Sequence, residues 1–311
     1  MSTLPTQSAT ASATGKVILL GEHFVLYGLP ALVAGIDRAL HLTVSPCATD
    51  QWQTPFPLPE DLLDRAAAAR DCIREELGIT GQHAIAVNSA LPLQANLGSS
   101  AALCVALTRA LALLNQEALP AERLLTVAQA GEAAIHGKSS GIDTTMAALG
   151  GIRRFGLIDT QLRNWPVALS LPLHLIVVTT KETTSTATMI ERVRAWVDGN
   201  KAKALPLFGQ YRSNFDAALT ALASSDVDAL GHCLNQGHHL LTRIGVSTAA
   251  LDTFCTKARS LGAPGAKLTG GGGGGSALIL CRNTQQQSRL TQTLAEFGTP
   301  YPVTIANPTT R

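Results

Sequence analysis

No two cysteines in this chain form a Cys-x-x-Cys pair. Cys47, Cys72, Cys104, Cys233, Cys255 and Cys281 are scattered over 311 residues. Spaced this way in a chain this long, they read as buried thiols in a reducing compartment. Charge is scarce too. Charged residues make up 15% and the net charge is +2, with no run of basic residues, so neither nucleic acid nor an acidic membrane is expected as a partner. No apolar run approaches the length of a membrane span. No internal repeat is visible. The opening "MSTLPTQSATASAT" has no apolar core and no basic residue before Lys16, so it resembles neither a secretory signal nor a transit peptide. Residues 1–12 are expected to form a mobile tail. These absences leave a soluble cytoplasmic protein whose partner is a small molecule.

What is present is core material. Hydrophobic residues are 46% of the chain, enough for one large domain or two tightly joined ones. "GKVILLGEHFVLYG" reads as strand, turn and second strand, and "PALVAGIDRALHLTVSP" as further short strands. Residues 60–78 have helical spacing that Gly78 ends. "HAIAVNSALP" is a strand. "LGSSAALCVALTRALALLN" is a helix apolar on nearly every face, which belongs in the middle of a domain, and residues 120–136 form another helix. Beyond it, "LHLIVVTT" is a strand, followed by helices near 184–198, 201–224, 227–241 and 248–261. The end reads strand, strand, helix, strand. This irregular interleaving predicts an α+β architecture, with domains at 13–165 and 166–311.

Four stretches carry chemistry. The first is Gly270–Gly275 in "KLTGGGGGGSALIL". A dinucleotide fingerprint would need a helix next, and a P-loop would need a lysine; a strand-like segment follows instead. A flexible linker is the plain reading, but two strands abut the glycines directly. A turn in which backbone closely approaches another element fits better. The second is "PLQANLGSSAAL", where Gly98, Ser99 and Ser100 sit at the start of the buried helix. Free N–H groups there suit a phosphate, and the hydroxyls could hold phosphate or Mg²⁺; the structural alternative is a Ser N-cap. The third places Lys16, Glu22 and His23 within eight residues of an otherwise apolar segment. The fourth is "GEAAIHGKSSGIDTTMAALGG", with Glu132 and Asp143; Asp143 also reads as a helix N-cap. His232, His238 and His239 lack a carboxylate or cysteine at ligand spacing, so they read as surface or interface residues, not a metal site.

In this order the stretches resemble the three motifs of the GHMP kinases, a family named for galactokinase, homoserine kinase, mevalonate kinase and phosphomevalonate kinase. The likeness spans residues 15–281. It is strongest to the branch that phosphorylates mevalonate, through Lys16–Leu19, Gly21–His23, "HGKSSGIDTTMAALGGIRRF", "TTKETTSTATMI" and "LNQGHHLLTRIGVSTAALD". The resemblance implies a ribosomal-S5-like N-terminal domain and a ferredoxin-like C-terminal domain. It implies ATP and Mg²⁺ as cofactors, mevalonate as substrate, a place in isoprenoid precursor synthesis, and a homodimer as one assembly. By matching position, Asp143 and Lys16 are catalytic. Asn96, Gly98, Ser99, Ser100 and Ala101 hold the ATP phosphates, and Ser100 and Glu132 bind Mg²⁺. Glu22, His23, Thr269 and Gly270 face the substrate. The glycine turn is expected to pack beside the phosphate loop, with Gly271 tolerating a side chain best and Gly273 and Gly274 least. Two positions depart from the family pattern: Asn96 stands where Gly is usual, and Thr14 where Pro is usual. The alternatives are another small-molecule kinase, above all one acting on phosphomevalonate, and a non-catalytic sensor of the same fold.

Overall fold

The computed structural model describes residues 8–306 except 56, 93, 94, 181 and 183. In chain order, β1 (Ala9–Leu20) leads through a 3₁₀ turn (Phe24–Tyr27) to β2 (Ala31–Cys47) and β3 (Gln51–Gln53). Then come α1 (Glu60–Leu77), β4 (Gln82–Ser89), α2 (Ser99–Leu114), α3 (Ala121–His136) and α4 (Ile142–Leu149). The hairpin β5 (Ile152–Ile158) and β6 (Gln161–Val167) precedes β7 (Leu173–Thr179). Four helices follow, α5 (Thr186–Gly199), α6 (Lys201–Ala223), α7 (Val227–Arg243) and α8 (Ala249–Ser260). The chain ends with β8 (Gly265–Thr269), β9 (Ser276–Cys281), α9 (Thr284–Leu294) and β10 (Thr299–Ile305).

The mixed α+β character matches the expectation, with three local corrections. "FVLYG" is a 3₁₀ turn, not a strand, because left-handed residues bracket it: His23 at φ 60° and Gly28 at φ 75°. Residues 31–47 are one 17-residue strand rather than several short ones. The expected tail is shorter, since β1 begins at Ala9, where Thr10 Oγ1 meets Thr43 Oγ1 at 2.8 Å and Arg109 donates to the Ser12 carbonyl at 2.6 Å. Residues 1–7 lie outside the described residues.

The chain divides into two compact units that are discontinuous in sequence. The first comprises residues 1–16, 38–93 and 97–150; the second comprises 17–37, 94–96 and 151–311. The hairpin β5–β6, which the domain reading assigned to the N-terminal part, clusters with the second unit. In the first unit the far end of β2 pairs antiparallel with β4, and β3 runs parallel to β4. Helix α2 is this unit's centre: Cys104–Leu107 and Ala110–Leu111 are fully buried. That is where a helix apolar all round must sit, and truncating a side chain such as Leu107 to Ala is expected to cost about 2–5 kcal/mol.

In the second unit a four-stranded antiparallel sheet has the order β10-β7-β9-β8. Its β8 edge is covered by α7. Two glycines let their backbones touch: a Cβ on Gly231 would lie 2.5 Å from the Pro264 carbonyl carbon, and one on Gly265 2.4 Å from the Gly231 oxygen. At that range side chains of α7 reach the strand's outward amides. Asn235 Oδ1 accepts from Ala266 N–H at 2.9 Å, and His238 Nδ1 accepts from Leu268 N–H at 3.2 Å. His238 is therefore buried, 6% exposed, and not the surface residue expected. Its Nε2 faces Asp252 at 3.1 Å, which in turn accepts from Ser247. Among the described residues no group of three or more His, Cys, Asp or Glu side chains could hold a metal.

Candidate active site

Two clusters of candidate residues form, one within each unit. In the first, Lys16 on β1 reaches Asp143 on α4, Nζ to Oδ2 3.1 Å. Lys16 is fixed at both ends. Its amide donates to the Leu97 carbonyl at 2.8 Å, and its stem runs over Gly98, where a Cβ would sit 3.1 Å from Lys16 Cγ. Gly98, at φ 75°, is the N-cap of α2, which has no side-chain cap and no acidic residue in its first turn. Ser99 and Ser100 are thus the first helical residues and not caps. Bare first-turn amides and the positive helix end form an anion cradle. Asp143 is likewise not a cap: Gly141 is, and Asp143 sits in the first turn of α4, where the helix dipole favours its negative charge.

Glu132 projects from α3 and is 5% exposed. Burial, then the charge of Asp143, push its carboxyl up to about 7, against the Ser139 hydrogen bond and Lys16, which lower it. Lys16 thus pairs with Asp143 and acts on Glu132 only through its charge. Three neighbours went unnoticed in sequence. Ser139 Oγ donates to Glu132 Oε2 at 2.6 Å, Gln129 Nε2 donates to the Ser139 carbonyl at 3.2 Å, and His136 Nε2 lies 3.1 Å from Ser100 Oγ. The signal available was the polar run "HGKSSG" directly after the α3 face that carries Gln129 and Glu132.

In the second unit Glu22 pairs with Lys267 through Oε1, and both side chains are almost wholly buried. Lys267 Nζ also donates to the Leu268 carbonyl. Lys267 went unnoticed as a site residue; an ionisable side chain in the otherwise apolar β8 was its signal. Among the described residues Glu22 Oε2 is buried without a partner. His23, held at a left-handed φ of 60°, donates from Nε2 to the Gly271 carbonyl at 2.7 Å. That fixes the neutral tautomer and leaves Nδ1 a buried acceptor with no partner among the described residues; burial holds the ring below its ordinary pKa. The Thr269 hydroxyl is fully engaged, accepting from Ile18 N–H at 3.2 Å and donating to Ile18 O at 3.1 Å, so it ties β8 to β1.

The six glycines are no linker. Gly273 N–H bonds Val246 O, Gly275 N–H bonds Glu182 O, and Thr184 Oγ1 donates to Gly273 O. Asn96, expected to hold ATP phosphates, belongs to this unit and lies against the turn at Gly270 and Gly275. A Cβ would strike backbone carbonyls at 2.3 Å from Gly272 and from Gly274. Gly272 therefore joins Gly274 as least tolerant, while Gly273 would strike the side chains of Met189 and Thr184.

Residues 62–151 match the GHMP kinases N terminal domain, and residues 218–299 match the GHMP kinases C terminal domain. A mevalonate kinase of Aeropyrum pernix is 32% identical over 85% of this chain and 86% of its own length. The chain belongs to the GHMP kinase family. A second mevalonate kinase, from Thermococcus onnurineus, is 30% identical over 96% of both chains. The crystal structure of L. major mevalonate kinase in complex with R-mevalonate superposes with a TM-score of 0.91 at 29% identity, covering 99% of each chain. The GHMP fold expected from the motifs is thus the observed one. Among the described residues of this GHMP kinase, no helix is long and apolar enough to cross a membrane.

Proposed function

We propose that this GHMP kinase transfers the γ-phosphoryl group of ATP to the primary hydroxyl of mevalonate. The observation that carries the reading is the near full-length similarity to proteins named mevalonate kinase, together with the Lys16–Asp143 pair and the bare α2 N-terminus. Phosphoryl transfer rests mainly on positioning and charge stabilisation. Asp143 accepts the hydroxyl proton as oxygen attacks phosphorus and the bond from the γ-phosphorus to the β,γ-bridging oxygen breaks. Lys16 pairs with Asp143 at 3.1 Å and balances charge on the transferring group. Amides of Ser99, Ser100 and Ala101, with Gly98 giving the backbone access, bind the phosphates.

Glu132 and Ser100 fit Mg²⁺. A buried carboxyl whose proton is held up to about 7 beside a second carboxylate is short of positive charge, and Mg²⁺ favours one or two carboxylates with phosphate oxygens and water. When bound, Mg²⁺ supplies charge neutralisation on the phosphates. The acceptors Glu22 Oε2 and His23 Nδ1, unpartnered among the described residues, suit hydroxyl donors of the substrate, with Gly270 next in the chain to Gly271, whose carbonyl His23 bonds, and Thr269 fixing β8. Six cysteines, all free, agree with a cytoplasmic location. The test is ATP consumption with mevalonate, phosphomevalonate, homoserine and galactose. Turnover should be greatest with mevalonate, and a clear preference for phosphomevalonate would overturn the reading.

A further inference from the structure

Ser139 stands between Glu132 and the turn that carries Asp143. Its hydroxyl donates to Glu132 Oε2 at 2.6 Å and accepts from Gly141 N–H at 3.2 Å. The turn is clamped a second time: Gln129 Nε2 donates to the Ser139 carbonyl, and a Cβ on Gly141 would meet the Gln129 amide at 3.2 Å. Gln129 and Glu132 lie three residues apart on one face of α3, so one helix face grips the turn by both backbone and side chain. The bonds run in series from Gly141 N–H through the Ser139 hydroxyl to the carboxylate. Such a chain strengthens each member and fixes the plane of the carboxyl group.

From this geometry we infer that Ser139 is a metal-selectivity residue. By engaging Oε2 it leaves Glu132 a single oxygen, Oε1, to offer a cation. Mg²⁺ takes ligands in strict octahedral geometry with one oxygen per carboxylate, whereas Ca²⁺ accepts six to eight ligands and favours bidentate carboxylates. A Glu132 held to one oxygen therefore suits the small ion and withholds from the large one the second oxygen it would use. Among the described residues Ser139 bonds Glu132, Gly141 and Gln129. It acts through Glu132, as partners of metal ligands generally do, where mutation typically costs about 10–100-fold in metal affinity or activity. The inference rests on Glu132 being a Mg²⁺ ligand of the proposed kinase.

The test is equilibrium binding of the non-hydrolysable ATP analogue AMP-PNP to the full chain by calorimetry, titrated with Mg²⁺ and separately with Ca²⁺. Wild type should bind AMP-PNP more tightly with Mg²⁺ than with Ca²⁺. Ser139→Ala should narrow the Mg²⁺-to-Ca²⁺ ratio by about tenfold, by tightening Ca²⁺ binding as the second oxygen is released and by weakening Mg²⁺ binding as the carboxylate loses its orientation. Ser139→Thr, which keeps the hydroxyl, should hold the wild-type ratio. Melting temperatures without metal report folding separately. A Ser139→Ala protein that melts lower yet keeps the wild-type metal ratio overturns the inference and leaves the kinase reading standing. Ser139→Ala and Ser139→Thr narrowing the ratio equally would also overturn it, since the hydroxyl would then not be responsible. Wild type that binds AMP-PNP with no dependence on either metal overturns both this inference and the assignment of Glu132 to Mg²⁺.

Discussion

An alanine scan of Gly270–Gly275 asks the glycine turn for unequal answers, and the geometry sets their order. Gly274 is the extreme case. Its φ is +104°, and a Cβ would lie 2.3 Å from the Glu182 carbonyl oxygen and 2.6 Å from its carbon. Ordinary contact begins near 3.4 Å, so the carbonyl must retreat by about 1 Å. That same oxygen accepts Gly275 N–H at 2.8 Å, so the retreat also strains a turn hydrogen bond. The left-handed backbone costs about 1–2 kcal/mol, the overpacking about 1–3 kcal/mol and the weakened hydrogen bond about 1 kcal/mol. Together Gly274→Ala should lose about 3–6 kcal/mol, a large part of a typical total of about 5–15 kcal/mol. Gly272→Ala, facing the Val246 carbonyl at 2.3 Å, should behave alike. Gly271 has no positive φ, and its nearest neighbour, Thr186 Oγ1 at 3.0 Å, is a side chain that can rotate. Gly271→Ala keeps the carbonyl that His23 bonds and should lose under about 1 kcal/mol. The assay is denaturant unfolding at each position with kcat and the KM for ATP. Where the protein still folds, displacement of the turn by about 1 Å should lower kcat by up to about 10²-fold. A flat profile, or Gly271→Ala as damaging as Gly274→Ala, would refute the reasoning.

Asp143→Asn should fold normally and lose about 10²–10⁴ in kcat, the usual contribution of a positioned acid or base; near-normal turnover in the folded variant counts against its proposed role. Ser100→Ala and Glu132→Gln should each weaken Mg²⁺-dependent nucleotide binding, and the double variant should be less than additive because the two serve one ion. A change confined to about 1 kcal/mol of stability in Ser100→Ala would make that hydroxyl structural only. Burial lowers His238 to about 4 from 6.5, although Asp252 opposes the shift. The folded state refuses a proton that the unfolded chain takes up below pH 6.5, so this stability is present above 6.5 and is lost as pH falls toward 4. At 1.36 kcal/mol per pH unit the loss is about 3 kcal/mol. Denaturant melts from pH 7 to 4.5 should show wild type losing that much more than His238→Gln; equal losses would refute the buried, neutral ring.

Much of this fold was readable in the chain because its signals are local. Gly78 ends α1 with a left-handed cap, and α2, apolar on every side, could only be central. The errors fell where neighbours remote in sequence decide. "FVLYG" has strand-like composition, but Phe24 stacks on Tyr211 with ring centroids 4.1 Å apart, and the segment turns there instead of extending. Glu22 stood out in the sequence as a candidate, yet Lys267, its partner 245 positions away, did not; an ion pair across that separation leaves no periodicity. His238 looked like a surface histidine because nothing near it in sequence announces that it accepts a hydrogen bond from β8. The uncapped start of α2, where the proposed function places the phosphates, was legible in outline, since Gly-Ser-Ser before a helix carries its mechanism with it. The setting of Glu132 by Ser139, and of Ser139 by Gln129, depends on side-chain directions that spacing alone does not give.

The grip of α7 on β8 has a consequence for how this protein behaves at high concentration. An outer strand normally presents a row of amides to which a foreign strand can add, the first step toward aggregation and fibrils. Here Asn235 and His238 occupy the Ala266 and Leu268 amides from above, and Gly231 and Gly265 bring the helix too close for another chain to enter. A substitution that lifts α7 by a single methyl group, such as Gly231→Ala, would therefore do more than loosen packing. It would uncover an apolar, fully buried strand as a template, and the expected phenotype is loss to insoluble material during expression rather than a soluble enzyme with reduced activity.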